Sequence, residues 1–328
     1  MKQFLLGCVA VMALGAAASA ADAKTYRIGV AMYGLKGEFA QSWVNEAKKH
    51  PAIKDGTATL TVFDGNYDQL TQDRQFDEMI AQHYDAIIFD PIDSNAGGAL
   101  VARAEKAGIP VIGSNGPVKA ANEAAYIGSD DVKAGEDEAK AVIDKMGGKG
   151  NVVILQGPVG QLGSIQRYEG NQKALAAAPG IHLLEKNTAN WSRAEALNLM
   201  QNWLTAHPGQ INGVIGENDE MALGAIAAMR SQGIDPATVP TAGIDGVHDA
   251  MVAVSKGYMV LSIKQDAFTQ AQGAVDLALR HIIGDSYKPL STCWTMYPSM
   301  KWDNGEGKLY NVPWTYVTKA NVQQFLNK

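Results

Sequence analysis

The stretch INGVIGENDEMALGAIAAMRSQG, residues 211–233, contains one complete strand-to-helix unit. Its apolar start, Gly213–Ile215, predicts a short buried strand, and the Ala-rich Glu220–Gln232 predicts an amphipathic helix. Gly233 follows at the position where a helix commonly ends. A continuous apolar strand followed by a helix is typical of a parallel sheet that is covered on both faces. The stretch therefore predicts an α/β fold.

Similar units occur along most of the chain. Predicted strands lie at Tyr26–Met32, Thr59–Phe63, Ala86–Phe89, Pro110–Ile112, Asn151–Leu155, Gly213–Ile215, Thr241–Ile244 and Val260–Ile263. Predicted helices lie at Phe39–His50, Gln69–Gln82, Ala96–Ala107, Ala134–Met146, Arg167–Ala177, Arg193–Ala206, Glu220–Gln232 and Phe268–Ile283. Eight units could close into one barrel, but their spacing is uneven and a loop region at Gly113–Ala125 separates the first four from the rest. Two doubly wound parallel sheets fit this pattern better than one barrel.

The N-terminus has the pattern of a secretory signal peptide. Lys2 is followed by the apolar segment Phe4–Ala18 and then by the small residues Ala18-Ser19-Ala20. The alternative is a membrane anchor, but the segment is shorter than the ~20 apolar residues that a spanning helix needs. We therefore expect residues 1–23 to be removed and the mature protein to lie in the bacterial periplasm.

Charge and cysteine content exclude several classes of protein. The 328 residues include 28 Lys plus Arg and 34 Asp plus Glu, for a net charge of −6. This balance opposes a broad nucleic-acid surface and a polybasic membrane contact, because both require clustered cations. Two cysteines, Cys8 and Cys293, are too few for a disulfide scaffold or a four-thiolate zinc site.

Polar and aromatic residues follow the predicted strands, where open α/β sheets bind their ligands. These residues are Tyr33, Asp90, Asn115, Gln156, Asn218, Asp245 and Gln265, with Trp191 before a further helix. Amides and carboxylates bind vicinal hydroxyls, and an aromatic face covers the C–H side of a sugar. The set is thus typical of carbohydrate recognition, although each residue alone could be a helix cap or a turn.

Motifs for catalysis and for metal binding are missing from the sequence. It contains no G-x-S-x-G elbow, Walker A loop or H-E-x-x-H motif, and its six histidines show no metal-ligand spacing. We therefore predict no catalytic residue, no metal and no cofactor. The acidic residues Asp130-Asp131 and those within 135–138 are interpreted as solvated charges in the first turns of a helix.

Four runs, in this order, resemble the ribose-binding-protein family of periplasmic sugar receptors. They are IPVI at 109–112, LMQNWLTAHP at 199–208, ENDEMALGA at 217–225 and GIDG at 243–246, within a similarity that extends from Tyr26 to Leu290. The resemblance implies a type I periplasmic binding protein, with two lobes joined by a three-strand hinge that crosses near Ser129, Gln265 and Ser291. The N-terminal lobe would comprise 24–128 plus 266–290, and the C-terminal lobe 129–265 plus the Trp-rich tail 291–328. We expect that tail to pack on the second lobe.

The same resemblance implies the ligand contacts. Phe39 matches an aromatic residue that stacks on one face of the sugar, and Trp191 replaces a phenylalanine that stacks on the other. Asn218, Asp245 and Gln265 match the amide, the carboxylate and the hinge amide that bind hydroxyls. Each therefore belongs to the predicted ligand site.

Two arginines of the ribose receptors are replaced in this chain. Asn115-Gly116 stands where they have Asp-Arg, and Ile165 stands where they have a second arginine. Because hydrogen bonds of charged groups contribute ~1.5–3 kcal/mol each, their loss argues against simple ribose binding. Asn115 is therefore a predicted ligand residue, and the further candidates are Tyr33, Lys36, Glu38, Asp90, Gln161 and Arg167.

These observations predict a monomeric receptor that binds a neutral monosaccharide or sugar alcohol and delivers it to the membrane permease of an ABC importer. A receptor for chemotaxis or sensor-kinase signalling, or for autoinducer-2, is the alternative that the sequence leaves open. A carbohydrate-active enzyme is a further alternative, since Asp90 and Asp245 could be proposed as its two carboxylates. Hydrogen bonding to a ligand is the simpler role for both.

Overall fold

The computed structural model describes residues 24–118 and 122–326. The predicted signal peptide lies outside these residues. The described chain forms two six-stranded sheets, each covered by helices. The prediction of an α/β protein with two doubly wound, mainly parallel sheets is therefore confirmed, and the barrel alternative is excluded.

Twelve strands occur in the described residues. They are β1 (Tyr26–Met32), β2 (Ala58–Asp64), β3 (Ala86–Phe89), β4 (Val111–Ser114), β5 (Ala125–Gly128), β6 (Gly150–Gln156), β7 (Ile181–Thr188), β8 (Gly213–Gly216), β9 (Thr241–Asp245), β10 (Leu261–Lys264), β11 (Leu309–Asn311) and β12 (Thr315–Val317). The first sheet has the order β11-β5-β4-β3-β1-β2 and the second β12-β10-β9-β8-β6-β7. Neighbouring strands are parallel throughout, except that β12 runs antiparallel to β10.

Eleven α-helices connect or follow these strands in the described chain. They are α1 (Glu38–Lys48), α2 (Pro51–Lys54), α3 (Gln69–Ala81), α4 (Ser94–Lys106), α5 (Asp131–Lys145), α6 (Leu162–Ala176), α7 (Arg193–Ala206), α8 (Asp219–Ser231), α9 (His248–Lys256), α10 (Ala267–Ile283) and α11 (Gln323–Leu326). No helix of the described chain has the length and apolar character required to cross a membrane.

The central strands are apolar because both of their faces are covered. Every residue of β3, β4, β8 and β9 is buried.

Helix α10 illustrates how the sequence sets the two ends of a helix. Asp266 caps its start by accepting from the backbone N–H of Thr269, and Gly284, with a φ of 89°, ends it.

The chain passes between the sheets at three places. It leaves the first sheet after β5, returns after β10 to α10, and crosses once more between β11 and β12. The resemblance implies a third crossing near Ser291 and places all of 291–328 in the second lobe. The predicted crossing is wrong, and so is the placement of the first half of the tail, because Leu309–Asn311 pairs with Tyr126–Gly128 of β5 in the first sheet.

A buried carboxylate holds this part of the tail on the first lobe. Asp276 of α10 is fully buried and accepts hydrogen bonds from the Tyr287 hydroxyl at 2.5 Å, the Trp294 indole N–H at 2.7 Å and the backbone N–H of Leu290 at 2.8 Å. Ser291 donates its backbone N–H at 3.1 Å, and His50 Nε2 lies 3.1 Å away. These contacts keep residues 287–294 beside α10 and explain why the chain does not cross at Ser291.

Candidate functional site

A narrow cavity lies between the two lobes, where the carboxyl ends of the strands face each other. It is lined by Tyr33, Phe39, Asn115, Gly116, Asp131, Gln161, Gly163, Arg167, Trp191, Asn218, Asp245 and Gln265. The first four residues belong to the first lobe, and Gln265 lies where the chain crosses back to it. All six of the principal residues that the sequence predicts for a ligand site therefore meet at one place.

The secondary candidates are distributed around this cavity. Tyr33, Gln161 and Arg167 line it, and Asp90 contacts it through Asn115, whose amide nitrogen donates to Asp90 Oδ2 at 2.8 Å. The other two lie outside it. Lys36 lines a wider neighbouring cavity of about 650 Å³, and Glu38 accepts from the backbone N–H of His248 across the cleft at 3.2 Å.

Arg167 is the only positively charged residue among those of the described chain that line the cavity. Its Nε donates to Asp131 Oδ1 at 2.7 Å, and its Nη1 donates to the Glu217 carbonyl at 2.6 Å. Asp245 Oδ1 lies 3.8 Å from the same Nη1. Two of its three nitrogens are thus already engaged by the protein.

Asp131 is a residue of this site that the sequence analysis missed. The sequence pattern predicts solvated charges at Asp131 and Glu138, but both are buried. Asp131 is only 4% exposed because α5 and α6 pack closely and bring it to Arg167. A Cβ on Gly135 would lie 2.0 Å from the Arg167 carbonyl oxygen, and one on Gly170 would lie 2.1 Å from that of Val132. Two glycines inside predicted helices were the signal that these helices approach each other.

The two aromatic residues belong to different lobes. Phe39, near the start of α1, and Trp191, before α7, are both buried and line the same cavity. The Trp191 indole N–H donates to Gln161 Oε1 at 2.5 Å, which fixes the ring. Gly157 is required beside it, since a Cβ there would lie 2.1 Å from the ring. Such aromatic faces suit the apolar C–H face of a polyhydroxylated ligand.

The polar lining residues are held by their own strands and helices. Asn218 caps α8, and its Oδ1 accepts from the backbone N–H of Met221 at 2.9 Å, so its Nδ2 is the group suited to donate to a ligand. Gln265 Nε2 donates to Asp245 Oδ1 at 3.2 Å, and its Oε1 accepts from Gln270 at 3.1 Å. These bonds fix the amides before any ligand arrives.

Burial controls the charge of two carboxyl groups at the site. It raises the pKa of Asp90 to about 8, against a lowering by the hydrogen bonds from Asn115 and Gly116. Burial also raises the pKa of Asp245 well above its ordinary value, and the Arg167 guanidinium opposes that rise. Asp90 Oδ1 has no hydrogen-bond partner within the described chain. Of the two, Asp245 lines the cavity and is placed to bind a ligand hydroxyl, whereas Asp90 contacts the cavity through Asn115.

The raised pKa of Asp90 predicts a dependence of stability on pH. Between pH ~4 and pH ~8 the unfolded chain has lost this proton and the folded chain retains it, so stability falls as pH rises through this window. In Asp90→Asn, we expect the free energy of unfolding to fall less steeply than in the native protein. The slopes of unfolding free energy against pH differ between the two proteins by at most about 1.4 kcal/mol per pH unit, the value for one proton.

Urea unfolding at several pH values measures this slope. Glu123 and Glu217, whose pKa values burial raises to about 8 and about 7, affect both proteins equally and cancel in the comparison. Asp144→Asn, at an exposed position of α5, is the control. Parallel curves for Asp90→Asn and the native protein would contradict the assignment.

The described residues contain no group of three or more His, Cys, Asp or Glu side chains arranged to hold a metal ion. Cys293, the described cysteine, is buried beside α10 and away from the cavity. The groups at the site are instead aromatic faces, amides and carboxyls. Their arrangement suits the reversible binding of a small hydroxylated molecule.

Two α/β lobes that enclose such a cavity define the class of two-lobed solute-binding proteins. The chain belongs to the family described as periplasmic binding protein domain, whose model matches residues 28–286. It is thus a solute-binding protein and not an enzyme, as the sequence analysis predicts.

Individual relatives are similar over most of the chain. A xylitol-binding protein of Mycolicibacterium smegmatis is 37% identical over 278 residues, 84% of this chain and 78% of that protein. A putative rhizopine-binding protein of Rhizobium meliloti is 31% identical over the whole of both chains. An ABC transporter solute-binding protein of Bacillus halodurans, solved with bound myo-inositol, has a TM-score of 0.82 and 28% identity, with 94% of this chain and 99% of that one covered.

Proposed function

We propose that this protein is the solute receptor of an ABC importer and that it binds a neutral monosaccharide or sugar alcohol in the cavity between its lobes. The observation that carries this proposal is the composition of the cavity. It joins Phe39 and Asn115 of the first lobe to Trp191, Asn218 and Asp245 of the second. The names of the relatives support it, since they include a xylitol-binding protein and a protein solved with myo-inositol.

The charges at the site favour a ligand without negative charge. Asp131 and Asp245 line the cavity, whereas the single guanidinium of the cavity lining, that of Arg167, is already bonded to Asp131 and to a backbone carbonyl. A sugar acid or sugar phosphate would bring a negative charge that no free cation among the described lining residues could balance, at a large cost in a buried site. A hydroxyl can both donate to a carboxylate and accept from an amide, so polyols satisfy this lining.

Closure of the lobes is the mechanism that this arrangement supports. A ligand that contacts residues of both lobes binds the closed form better than the open form, and this difference shifts the equilibrium towards closure. Phe39 and Trp191 are then brought to the same ligand from opposite sides of the cleft. The closed form is the one that we propose to be recognised by the membrane permease.

The location and the partners belong to the same proposal. The signal-peptide pattern of residues 1–23 and the membership of the family support export to the periplasm. We propose that the receptor acts there as a monomer. Presentation of the closed form to a chemoreceptor or sensor kinase is compatible with the same site.

A binding screen tests the proposed ligand class. The mature protein is mixed with pentoses, hexoses and C4–C6 polyols and with the corresponding sugar acids, and binding is read by thermal shift and calorimetry. A ligand at 100 times its dissociation constant adds ~2.7 kcal/mol of stability, so the expected polyol or monosaccharide is readily detected. Asp245→Ala should weaken its binding by ~1.5–3 kcal/mol or more, because the hydrogen bonds of its buried carboxyl group to the ligand are lost.

The matched control is Asp144→Ala, at an exposed position of α5, which should leave affinity unchanged. Preference for a sugar acid over its neutral counterpart would overturn the ligand class. Tight binding of ribose together with no binding of any polyol would overturn the argument from the replaced arginines. Turnover of a bound ligand would overturn the assignment as a receptor.

A further inference from the structure

The two lobes bind each other directly at the rim of the cleft, at the starts of α4 and α6. Ser94, the first residue of α4, donates its backbone N–H to the Gly160 carbonyl at 3.1 Å. Its hydroxyl accepts from the backbone N–H of Leu162, the first residue of α6, at 2.8 Å. The same hydroxyl donates to the Pro117 carbonyl at 3.1 Å, within its own lobe. Ser94 thus makes two hydrogen bonds across the cleft.

This contact is buried and closely fitted. Ser94 is 1% exposed, so water does not replace its hydrogen bonds while the lobes are together. Gly160 has a φ of 91°, and a Cβ there would lie 2.4 Å from a carboxylate oxygen of Asp93. A glycine is therefore needed for the 160–162 segment to approach the start of α4.

The 160–162 segment also carries a ligand-site residue. Gln161, between Gly160 and Leu162, lines the cavity and accepts from the Trp191 indole N–H. Its Nε2 lies 3.5 Å from the Pro91 carbonyl of the first lobe. The backbone that Ser94 holds is therefore the backbone from which Gln161 fixes the Trp191 ring.

We propose that Ser94 is a positioning residue for ligand binding: its hydrogen bonds to the 160–162 segment stabilise the closed form, in which Gln161 and Trp191 meet Phe39 and Asn115 at the cavity. The proposal rests on the proposed function, in which ligand binds between closed lobes. Ser94 is not among the described residues that line the cavity, so it acts through the segment rather than on the ligand. Gly160 and Leu162 lie on the other lobe, so opening of the cleft breaks both of their hydrogen bonds to Ser94. These two hydrogen bonds therefore stabilise only the closed form.

A contact of this kind has a distinctive effect on affinity. It stabilises the closed form by the same amount whatever ligand is inside, so its loss should weaken all ligands by one common factor. A residue that touches the ligand would instead weaken different ligands by different factors. Since bonds formed after closure are lost on opening, the change should appear mainly in the dissociation rate.

Ser94→Ala tests this inference. Xylitol, myo-inositol and the best ligand of the screen above serve as probes, with affinity measured by calorimetry and dissociation by stopped-flow tryptophan fluorescence. We expect the dissociation constants of all probes that bind to rise by one common factor, roughly three- to tenfold, as for one net hydrogen bond. The dissociation rate should rise by a similar factor.

The matched control is Ser255→Ala, which removes a hydroxyl bonded only within α9, to the Val252 carbonyl at 2.8 Å among the described contacts. It should leave every affinity unchanged. Urea unfolding of both ligand-free variants shows whether either has lost stability in general. If Ser94→Ala and Ser255→Ala lose the same amount of stability while only Ser94→Ala loses affinity, the result supports a positioning role.

Two results would overturn the inference, and each differs from a failure of the proposed function. Native affinity in Ser94→Ala, with ligand bound by the native protein, would show that the lobe contact does not favour closure. Factors that differ between probes would show that Ser94 acts on the ligand itself. If the native protein binds no sugar or polyol, it is instead the proposed function that fails.

Discussion

Replacing Arg167 by leucine is expected to lower the free energy of unfolding by about 3–5 kcal/mol and to abolish measurable ligand binding. The large effect comes from the partner that remains. Asp131 is 4% exposed, and without Arg167 its carboxylate is buried and unpaired. The Glu217 carbonyl also loses its 2.6 Å hydrogen bond at the same point. Both losses fall directly beside the cavity.

Urea unfolding and calorimetry measure the two effects separately. Arg74→Leu, at an exposed position of α3, is the control and should change stability by less than ~0.5 kcal/mol. Burial already raises the pKa of Asp131, so the destabilisation of Arg167→Leu should shrink in acid, where this carboxyl becomes protonated. A loss of stability that is constant with pH, or none at all, would contradict the paired-charge interpretation.

Replacing Asp276 by leucine is the second change with a large expected effect, again about 3–5 kcal/mol of unfolding free energy. The fully buried Asp276 carboxylate accepts from Tyr287, Leu290, Ser291 and Trp294 and contacts His50. Its loss leaves several donors buried without an acceptor, each at a cost of ~1–3 kcal/mol before relaxation.

The same variant should release the tail from α10. Limited proteolysis is expected to cleave the Asp276→Leu variant within residues 287–312 sooner than the native protein. Asp285→Leu, which removes a carboxylate that is 94% exposed, is the matched control and should leave the cleavage rate unchanged. Identical cleavage of Asp276→Leu and native protein would show that other contacts hold the tail.

The elements that the sequence predicts correctly have a buried face, although strand β5 and helix α9, which have one too, are missing from the predicted set. Strands β3 and β8 are continuous apolar runs, and α8 and α10 carry a cap at one end and a stop at the other. Strand β7 is missing from the predicted set because it lies at an edge and mixes exposed with buried residues, so that no apolar run marks it. Strands β11 and β12 are only three residues long, too short for a periodic pattern.

The candidate site was predictable where it depends on strand ends. Asn115 follows β4, Asn218 precedes α8 and Asp245 ends β9. The position of the ends of parallel strands is a property of the fold. The pairing of Arg167 with Asp131 was not predictable, because it depends on two helices approaching at glycines. Contacts between side chains of separate elements require the packed structure.

The tail has a consequence for association between molecules. Strand β11 covers the outer edge of β5 in one sheet, and β12 covers the outer edge of β10 in the other. Uncovered edges present rows of free backbone donors and acceptors that pair readily with other chains. A single C-terminal segment thus supplies an edge strand to each lobe while it joins them, and because each of these strands is only three residues long, the row of groups open to another chain is short.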